Sequence, residues 1–281
     1  EAESLILPVT DGCSWNQCTF CEMYTAPQKR FRARSEEEVL ESIRLTGQRY
    51  GDQIRRVFLA DGDALVLPTR RLLAILAAIR QHMPAVHRVS SYCLARNLKK
   101  KTVEELAQLR AAGLAMVYLG AESGDDTVLE KVNKGETFES TRSALDKLGE
   151  AGIARSVMIL NGLGGEALST RHADNSARLA NATQPEFLST LVVTLHDAGR
   201  RFLQAWPDWQ ALSQPGLFHE MERFLDALEL KRTVFRSDHA SNWLVLKGTL
   251  GADKARLLAQ VREAITQPAS APLRPAWMRG P

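Results

Sequence analysis

The sequence predicts an α/β protein whose first 195 residues form a parallel sheet of six strands covered by helices. Three observations predict it. Short β-branched or apolar runs alternate with amphipathic stretches of helical length. Helix starts are marked by a hydroxyl residue three positions before a carboxylate, and helix ends by glycine. The strand–helix–strand connections are long enough to force parallel pairing and right-handed crossovers.

The elements follow in order. The first strand runs from Leu5 to Thr10 and leads into a cysteine-bearing loop. Ser35 and Glu38 then open a helix with an apolar stripe of Val39, Leu40 and Ile43. Arg56 to Asp61 is the second strand, and Leu72, Leu73, Ile75, Leu76 and Ile79 after Thr69 form a core-facing helix. The third strand is Arg88 to Cys93. Thr102 and Glu105 open the next helix, on Leu106 and Leu109, and Gly113 suits a left-handed cap ahead of the fourth strand, Met116 to Ala121. Gly149 and Gly152 suit the same role before the fifth strand, Ala154 to Leu160, and Phe187 to Leu195 is the sixth. A curved partial barrel and a flat doubly wound sheet both fit this pattern. After Leu195 the alternation stops. Two prolines fall within Trp206 to Gly216, helices are expected over Leu217 to Leu228 and Ala252 to Ile265, and Gln267 to Pro281, with four prolines, reads as an extended tail. The chain thus divides into a core, 1–195, and a C-terminal extension, 196–281.

Composition narrows the class. Of 281 residues, 44% are hydrophobic and 25% charged, which excludes a disordered or fibrous chain. The longest apolar run, Leu72 to Ile79, is far short of the roughly 20 residues that cross a bilayer. No charged-then-apolar leader opens the sequence, so a cytoplasmic location is expected and no membrane partner. A net charge of +3, from 36 basic and 33 acidic residues, does not support nucleic acid as a partner.

The cysteines say more. Of four, Cys13, Cys18 and Cys21 lie within nine residues, directly after the first strand, where parallel α/β folds bind ligands. Tight clustering points to metal rather than to a disulfide framework. Three thiolates can wrap one corner of a [4Fe–4S] cluster and leave one iron without a protein ligand. The spacing also matches a plant-type [2Fe–2S] run, which would need Cys93 as fourth ligand. A structural zinc would likewise need a fourth ligand, and no histidine lies nearby in sequence.

The segment Val9-Thr10-Asp11-Gly12-Cys13-Ser14-Trp15-Asn16-Gln17-Cys18-Thr19-Phe20-Cys21-Glu22-Met23-Tyr24 resembles the cluster loop of radical S-adenosylmethionine (SAM) enzymes. It is most similar to a branch related to oxygen-independent coproporphyrinogen III oxidase. The likeness extends through Arg30-Phe31-Arg32 and the strand ends to His239-Ala-Ser-Asn242 and Leu273-Arg274-Pro275. Most of the superfamily places three residues between the first two cysteines. Here there are four, with Phe20 still in the aromatic position before the last cysteine.

The resemblance implies a partial (β/α)6 TIM-type barrel with a short C-terminal extension that closes it. It also implies that Cys13, Cys18 and Cys21 hold one [4Fe–4S] cluster whose open iron takes the amino and carboxylate groups of SAM. Reductive cleavage of SAM would then give a 5′-deoxyadenosyl radical for hydrogen abstraction, the cofactor carrying the hard chemistry. Asp61, Gly62 and Asp63, at the second strand end, match the position that accepts from SAM's ammonium; the alternative is an ordinary Asp-Gly turn. Glu122 and Ser123 match a ribose and methionine contact, although Ser123 or Asp125 could equally cap a helix. Ser156, Asn161 and the glycines to Gly165 match further SAM contacts, and Phe20 belongs to the cofactor loop.

Catalytic or substrate-contacting candidates are His196, His239 and Tyr92, with Asp197 and Cys93 beside two of them. Arg30, Arg32 and Arg34 could grip an anion or merely lead into a helix. A small-molecule substrate and an electron donor such as flavodoxin or ferredoxin are the implied partners. With only Cys93 left over, an auxiliary cluster is not expected. The competing function is a non-catalytic iron–sulfur protein that transfers electrons or carries a cluster.

Overall fold

The computed structural model describes residues 3–195 and 198–280. They belong to two compact units: Glu1–Asn16, Met23–Leu119 and Ser143–Arg155 in the first, and Gln17–Glu22, Gly120–Arg142 and Ser156–Pro281 in the second.

The first unit opens with β1 (Leu5–Pro8), followed by β2 (Thr10–Asp11), which pairs antiparallel with β3 (Arg32–Ala33). Then come α1 (Glu36–Tyr50), β4 (Arg56–Ala60), α2 (Thr69–His82), β5 (Arg88–Cys93), α3 (Val103–Ala112) and most of β6 (Leu114–Glu122). Strands β1, β4, β5 and β6 stand side by side in that order, all parallel. Helix α1 packs on α2 and α2 on α3. Their buried residues, Val39 and Ile43, then Leu72, Ile75, Leu76 and Ile79, then Leu106 and Leu109, recur at the three- and four-residue spacing of one helix face. Burying each such side chain is worth about 1.5–3 kcal/mol.

Both expected capping boxes are present. Ser35 Oγ accepts from the Glu38 amide at 3.1 Å, and Thr102 Oγ1 from the Glu105 amide at 3.2 Å, while each glutamate accepts in return from the cap residue's own amide. Gly113 and Gly152 are left-handed, as caps require. Gly149 is not a cap. It lies inside α5 (Phe138–Glu150), where an added Cβ would come within 2.6 Å of Arg155 Nη1, so the glycine makes room for a guanidinium.

The second unit holds α4 (Asp126–Lys131), most of β7 (Ala154–Asn161), α6 (Gly165–Thr183), β8 (Phe187–Val192), α7 (Gly199–Ala205), α8 (Gln214–Ala227), β9 (Val234–Ser237), β10 (Leu246–Thr249) and α9 (Lys254–Thr266). Strands β7, β8 and β9 are parallel neighbours and β10 is antiparallel to β9. Helix α8 packs on both α6 and α9. The expectation that strands end at Leu195 is therefore corrected. Strands β9 and β10 have four residues each, too few for an alternating pattern to stand out, and Lys247-Gly248 inside β10 is unlike a strand centre. The tail after α9 is anchored. Leu273 bridges to Leu244, and Arg274 and Arg279 donate to backbone carbonyls of 238–242. Among the described residues no helix is long and apolar enough to cross a membrane.

The capping boxes give a direct check on this architecture. Thr102→Ala should cost about 1 kcal/mol of stability, while Thr102→Ser keeps most of it. Urea unfolding measures both, and an alanine variant with the wild-type midpoint would contradict the cap's assigned role.

Candidate functional site

In the first unit, the strand ends of β1 and β4 are tied to the start of the cysteine loop. The Gly62 amide donates to Gly12 O at 3.1 Å, and a Cβ on Gly62 would lie 2.7 Å from that oxygen and 3.0 Å from Cys13 Cα. Glycine is required by this approach. Next in the loop, the Ser14 amide donates to Asp63 Oδ1 at 3.0 Å, the Ser14 hydroxyl donates to Oδ2, and Asn97 Nδ2 donates to the same oxygen at 3.2 Å. Asp63 is fully buried. Burial raises its pKa, with the hydrogen bonds from Ser14 and Asn97 and the charge of Arg96 working the other way. The Arg96 guanidinium stacks 3.7 Å from the Trp15 ring centroid, so 63, 96 and 97 all hold residues 14 and 15.

Asn16, between the first two cysteines, turns the loop. Its φ is 45°, in the left-handed region that asparagine tolerates, and its Nδ2 donates to Tyr24 O at 2.8 Å. The Tyr24 hydroxyl in turn donates to Asp61 Oδ1 at 2.9 Å. Burial, then the bond to Asp61, pushes that phenol well above its usual range. Arg32 and Arg34 both pair with Asp11, at 2.6 and 2.8 Å. Burial works against the Asp11 charge, but the two guanidiniums outweigh it and hold the carboxyl below its ordinary value. These ion pairs join β3 and the residue after it to β2. Tyr92 sits in an aromatic group, 4.9 Å from Phe58 and 6.0 Å from Tyr118. Cys93 is buried, its thiol 3.2 Å from Leu94 O.

In the second unit, Cys18 and Cys21 close a turn in which the Cys21 amide donates to Cys18 O at 3.3 Å. The Thr19 amide donates to Val132 O at 3.0 Å, and Phe20 packs on the buried group of Val128, Val132, Leu163, Phe202 and Trp206. Arg201, on α7, donates to the carbonyls of Cys18, Thr19 and Cys21. Among the described residues, no three His, Cys, Asp or Glu side chains converge as around a metal ion. None of the four cysteines is in a disulfide, and the three of the loop are half-buried.

Most of the other expected residues of this unit are hydrogen-bonded or ion-paired within it. Glu122, left-handed at φ 66°, forms a 3.0 Å ion pair with Lys134. The Ser123 hydroxyl lies 2.8 Å from His172 Nδ1 and accepts from the Asp125 amide at 3.0 Å. Asp125 is the N-cap of α4, accepting from Thr127 and Val128 at 3.1 and 3.2 Å. Asn161 Nδ2 donates to Glu220 Oε1 at 2.7 Å, joined there by the Gly162 amide and, on Oε2, the Ser169 hydroxyl, both at 2.6 Å. Ser156 is buried near the start of β7. His239 Nδ1 lies 3.0 Å from Ser241 Oγ, and burial, helped by the charge of Arg274, lowers its pKa. His196 and Asp197 lie outside the described residues.

Sequence reasoning did not single out Asn97, Lys134, His172, Arg201 or Glu220. Glu220 left a visible sign: it interrupts the apolar face of α8 between Leu217 and Phe224, where a carboxylate must find buried donors. Arg201 left none, because α7 is short and was not expected.

Residues 7–174 match the model of the radical SAM superfamily. The heme chaperone HemW of Bacillus subtilis is 21% identical over 178 residues, which span 61% of this chain and 46% of that protein. The structure of coproporphyrinogen III oxidase (HemN) from Escherichia coli superposes with a TM-score of 0.60 at 15% identity, covering 79% of this chain and 52% of that one. Methylornithine synthase (PylB) does so with a TM-score of 0.55 at 16% identity, covering 97% and 74%. The chain thus spans about half the length of the first two. At these identities the likeness shows the fold, the parallel-stranded α/β partial barrel expected from the sequence. The family match covers more than half of the chain and includes all three clustered cysteines, so the chain belongs to the radical SAM superfamily.

Proposed function

We propose that Cys13, Cys18 and Cys21 hold one [4Fe–4S] cluster and that the chain cleaves SAM reductively to abstract hydrogen from a small-molecule substrate. The observation that carries this is the loop itself: three half-buried thiols within nine residues, outside any disulfide, following the C-terminal end of β1 in a chain of this superfamily. The donor set fits. Thiolates are the ligands of iron–sulfur clusters, and three of them leave one iron for SAM. The Gly62 approach fits too, since a side chain there would displace Cys13. When bound, the cluster supplies the electron that splits SAM into methionine and a 5′-deoxyadenosyl radical.

The chain's own residues bind, orient and exclude water. Phe20 anchors the loop on an apolar group, and Cys18 and Cys21 beside it would be two of the three ligands holding the cluster. With both oxygens of Asp63 engaged by Ser14 and Asn97, the acceptors for SAM's ammonium are Asp61 and the backbone carbonyls at 61 and 62, and Asp63 acts through Ser14. Glu122, its charge balanced by Lys134, takes the ribose hydroxyls; Ser156 and Asn161 are the remaining contacts, and Ser123 supports them from the interior. Tyr92, His239 and His196 are the candidates on the substrate side. A one-electron donor of the flavodoxin or ferredoxin type and a cytoplasmic setting accord with clustered, unbridged thiols.

Anaerobic reconstitution with iron and sulfide, followed by SAM and dithionite, tests the function. Methionine and 5′-deoxyadenosine are expected in equal amounts, and neither from Cys18→Ala, whose circular-dichroism spectrum stays that of the wild type. A bound cluster without 5′-deoxyadenosine would replace the enzyme by a cluster carrier or electron-transfer protein. Asp63→Ala separates the two roles open to that carboxylate. Acting as a brace, it should lower the iron retained after desalting at least twofold; full iron retention with weakened SAM binding would make Asp63 the ammonium acceptor instead.

A further inference from the structure

The second half of the cysteine loop is held by α7, which lies about 180 residues downstream. One edge of the Arg201 guanidinium makes all three contacts. Its Nη2 donates to Cys18 O at 2.8 Å and to Cys21 O, and its Nε donates to Thr19 O at 3.3 Å. These carbonyls belong to a half-buried turn outside any sheet or helix, in which Cys18 O also accepts from the Cys21 amide, and the guanidinium supplies donors to all three. The guanidinium is a rigid planar fork that fixes the direction of each acceptor.

The helix that carries it is itself immobilised. Phe202, the next residue, is fully buried, with its ring 5.0 Å from Trp209 and 6.2 Å from Trp206. The same apolar group receives Phe20 from the loop. A second link runs the other way, from the Ala198 amide to Glu22 Oε2 at 2.8 Å. Loop residues 18–22 and residues 198–206 therefore grip each other through a cation, a carboxylate and an aromatic contact.

We propose that Arg201 is a positioning residue of the iron–sulfur site: it fixes the spacing of Cys18 and Cys21 and, as a permanent cation beside them, raises the reduction potential of the cluster. This rests on the cluster assigned above to the same cysteines. Reduction adds one electron, from an external one-electron donor, to a centre already made negative by its three thiolates. A neighbouring positive charge favours the more negative state. Hydrogen bonding and nearby charge are among the means by which proteins set such potentials, and a guanidinium carries a full positive charge.

The experiment uses the full chain, reconstituted anaerobically with ferrous iron and sulfide, as wild type, Arg201→Met, Arg201→Lys and the exposed neighbour Arg200→Met. Iron and acid-labile sulfide per chain are measured after desalting, and the midpoint potential by dithionite titration followed by electron paramagnetic resonance. Arg201→Met is expected to retain less than half the wild-type iron. In the part that stays loaded, the ratio of reduced to oxidised cluster at a fixed potential falls about tenfold, which is about 59 mV for one electron. Arg201→Lys keeps the charge but not the fork, so it should lose iron while holding a potential near that of the wild type. Arg200→Met should match the wild type in both. Wild-type loading and potential in Arg201→Met would overturn the proposal. If that variant does not fold, wild-type loading in Arg201→Lys overturns the positioning role, and a Lys variant with the potential lowered tenfold in ratio overturns the charge role. A wild-type chain that assembles no cluster at all would instead remove the cluster assignment itself.

Discussion

A loop without regular secondary structure must find most of the partners for its buried main-chain groups outside itself. That constraint governs the segment carrying Cys13, Cys18 and Cys21. The bond from the Cys21 amide to Cys18 O is internal to it, and other main-chain groups reach partners beyond it. In the first unit the partners are the Asp63 carboxylate under Ser14 and the backbone of Gly12 and Gly62. In the second they are Val132, which receives the Thr19 amide, and the carbonyl-binding edge of Arg201. An unsatisfied buried group costs about 1–3 kcal/mol, so losing any of these partners would be felt at the loop first.

The same economy appears farther from the cysteines. Glu220 is a buried carboxylate on α8, an expensive group to bring out of water. It takes the Asn161 side chain, the Gly162 amide and the Ser169 hydroxyl, and His172 Nε2 stands 3.9 Å away. His172 continues to Ser123, which receives the Asp125 amide at the start of α4. One connected set of polar groups thus joins the ends of β6 and β7 to α6 and α8. Two of the positions expected to face the cofactor, Ser123 and Asn161, belong to this set. Their hydrogen bonds fix how those strand ends are held.

What was legible in the sequence follows from how local each cause is. Capping boxes at Ser35 and Thr102 need only residues three apart, and both formed. Long amphipathic helices such as α2 show their buried face in their spacing. Gly149 was misjudged as a cap because its reason, the Arg155 guanidinium against α5, lies outside its own helix. Strands β9 and β10 were missed because four residues give no period, and α7 because its seven residues were hidden in a segment without alternation. At the candidate site the cysteines were legible from their spacing, and Asp61 to Asp63 from their place after a strand. That Asp63 turns inward to Ser14 and Asn97, or that Arg201 reaches the cysteine carbonyls, depends on partners 34 to 183 residues away. Such pairings leave no mark in a single sequence.

The left-handed residue at Asn16 has a bearing on how related chains are found. Asparagine both tolerates φ 45° and supplies the amide that donates to Tyr24 O, so one residue type meets two demands at once. Aspartate or glycine in its place would keep the backbone angle and lose the donor, and a β-branched residue would lose both. A sequence pattern for this loop therefore reads more of its turn from position 16 than from the two positions before it.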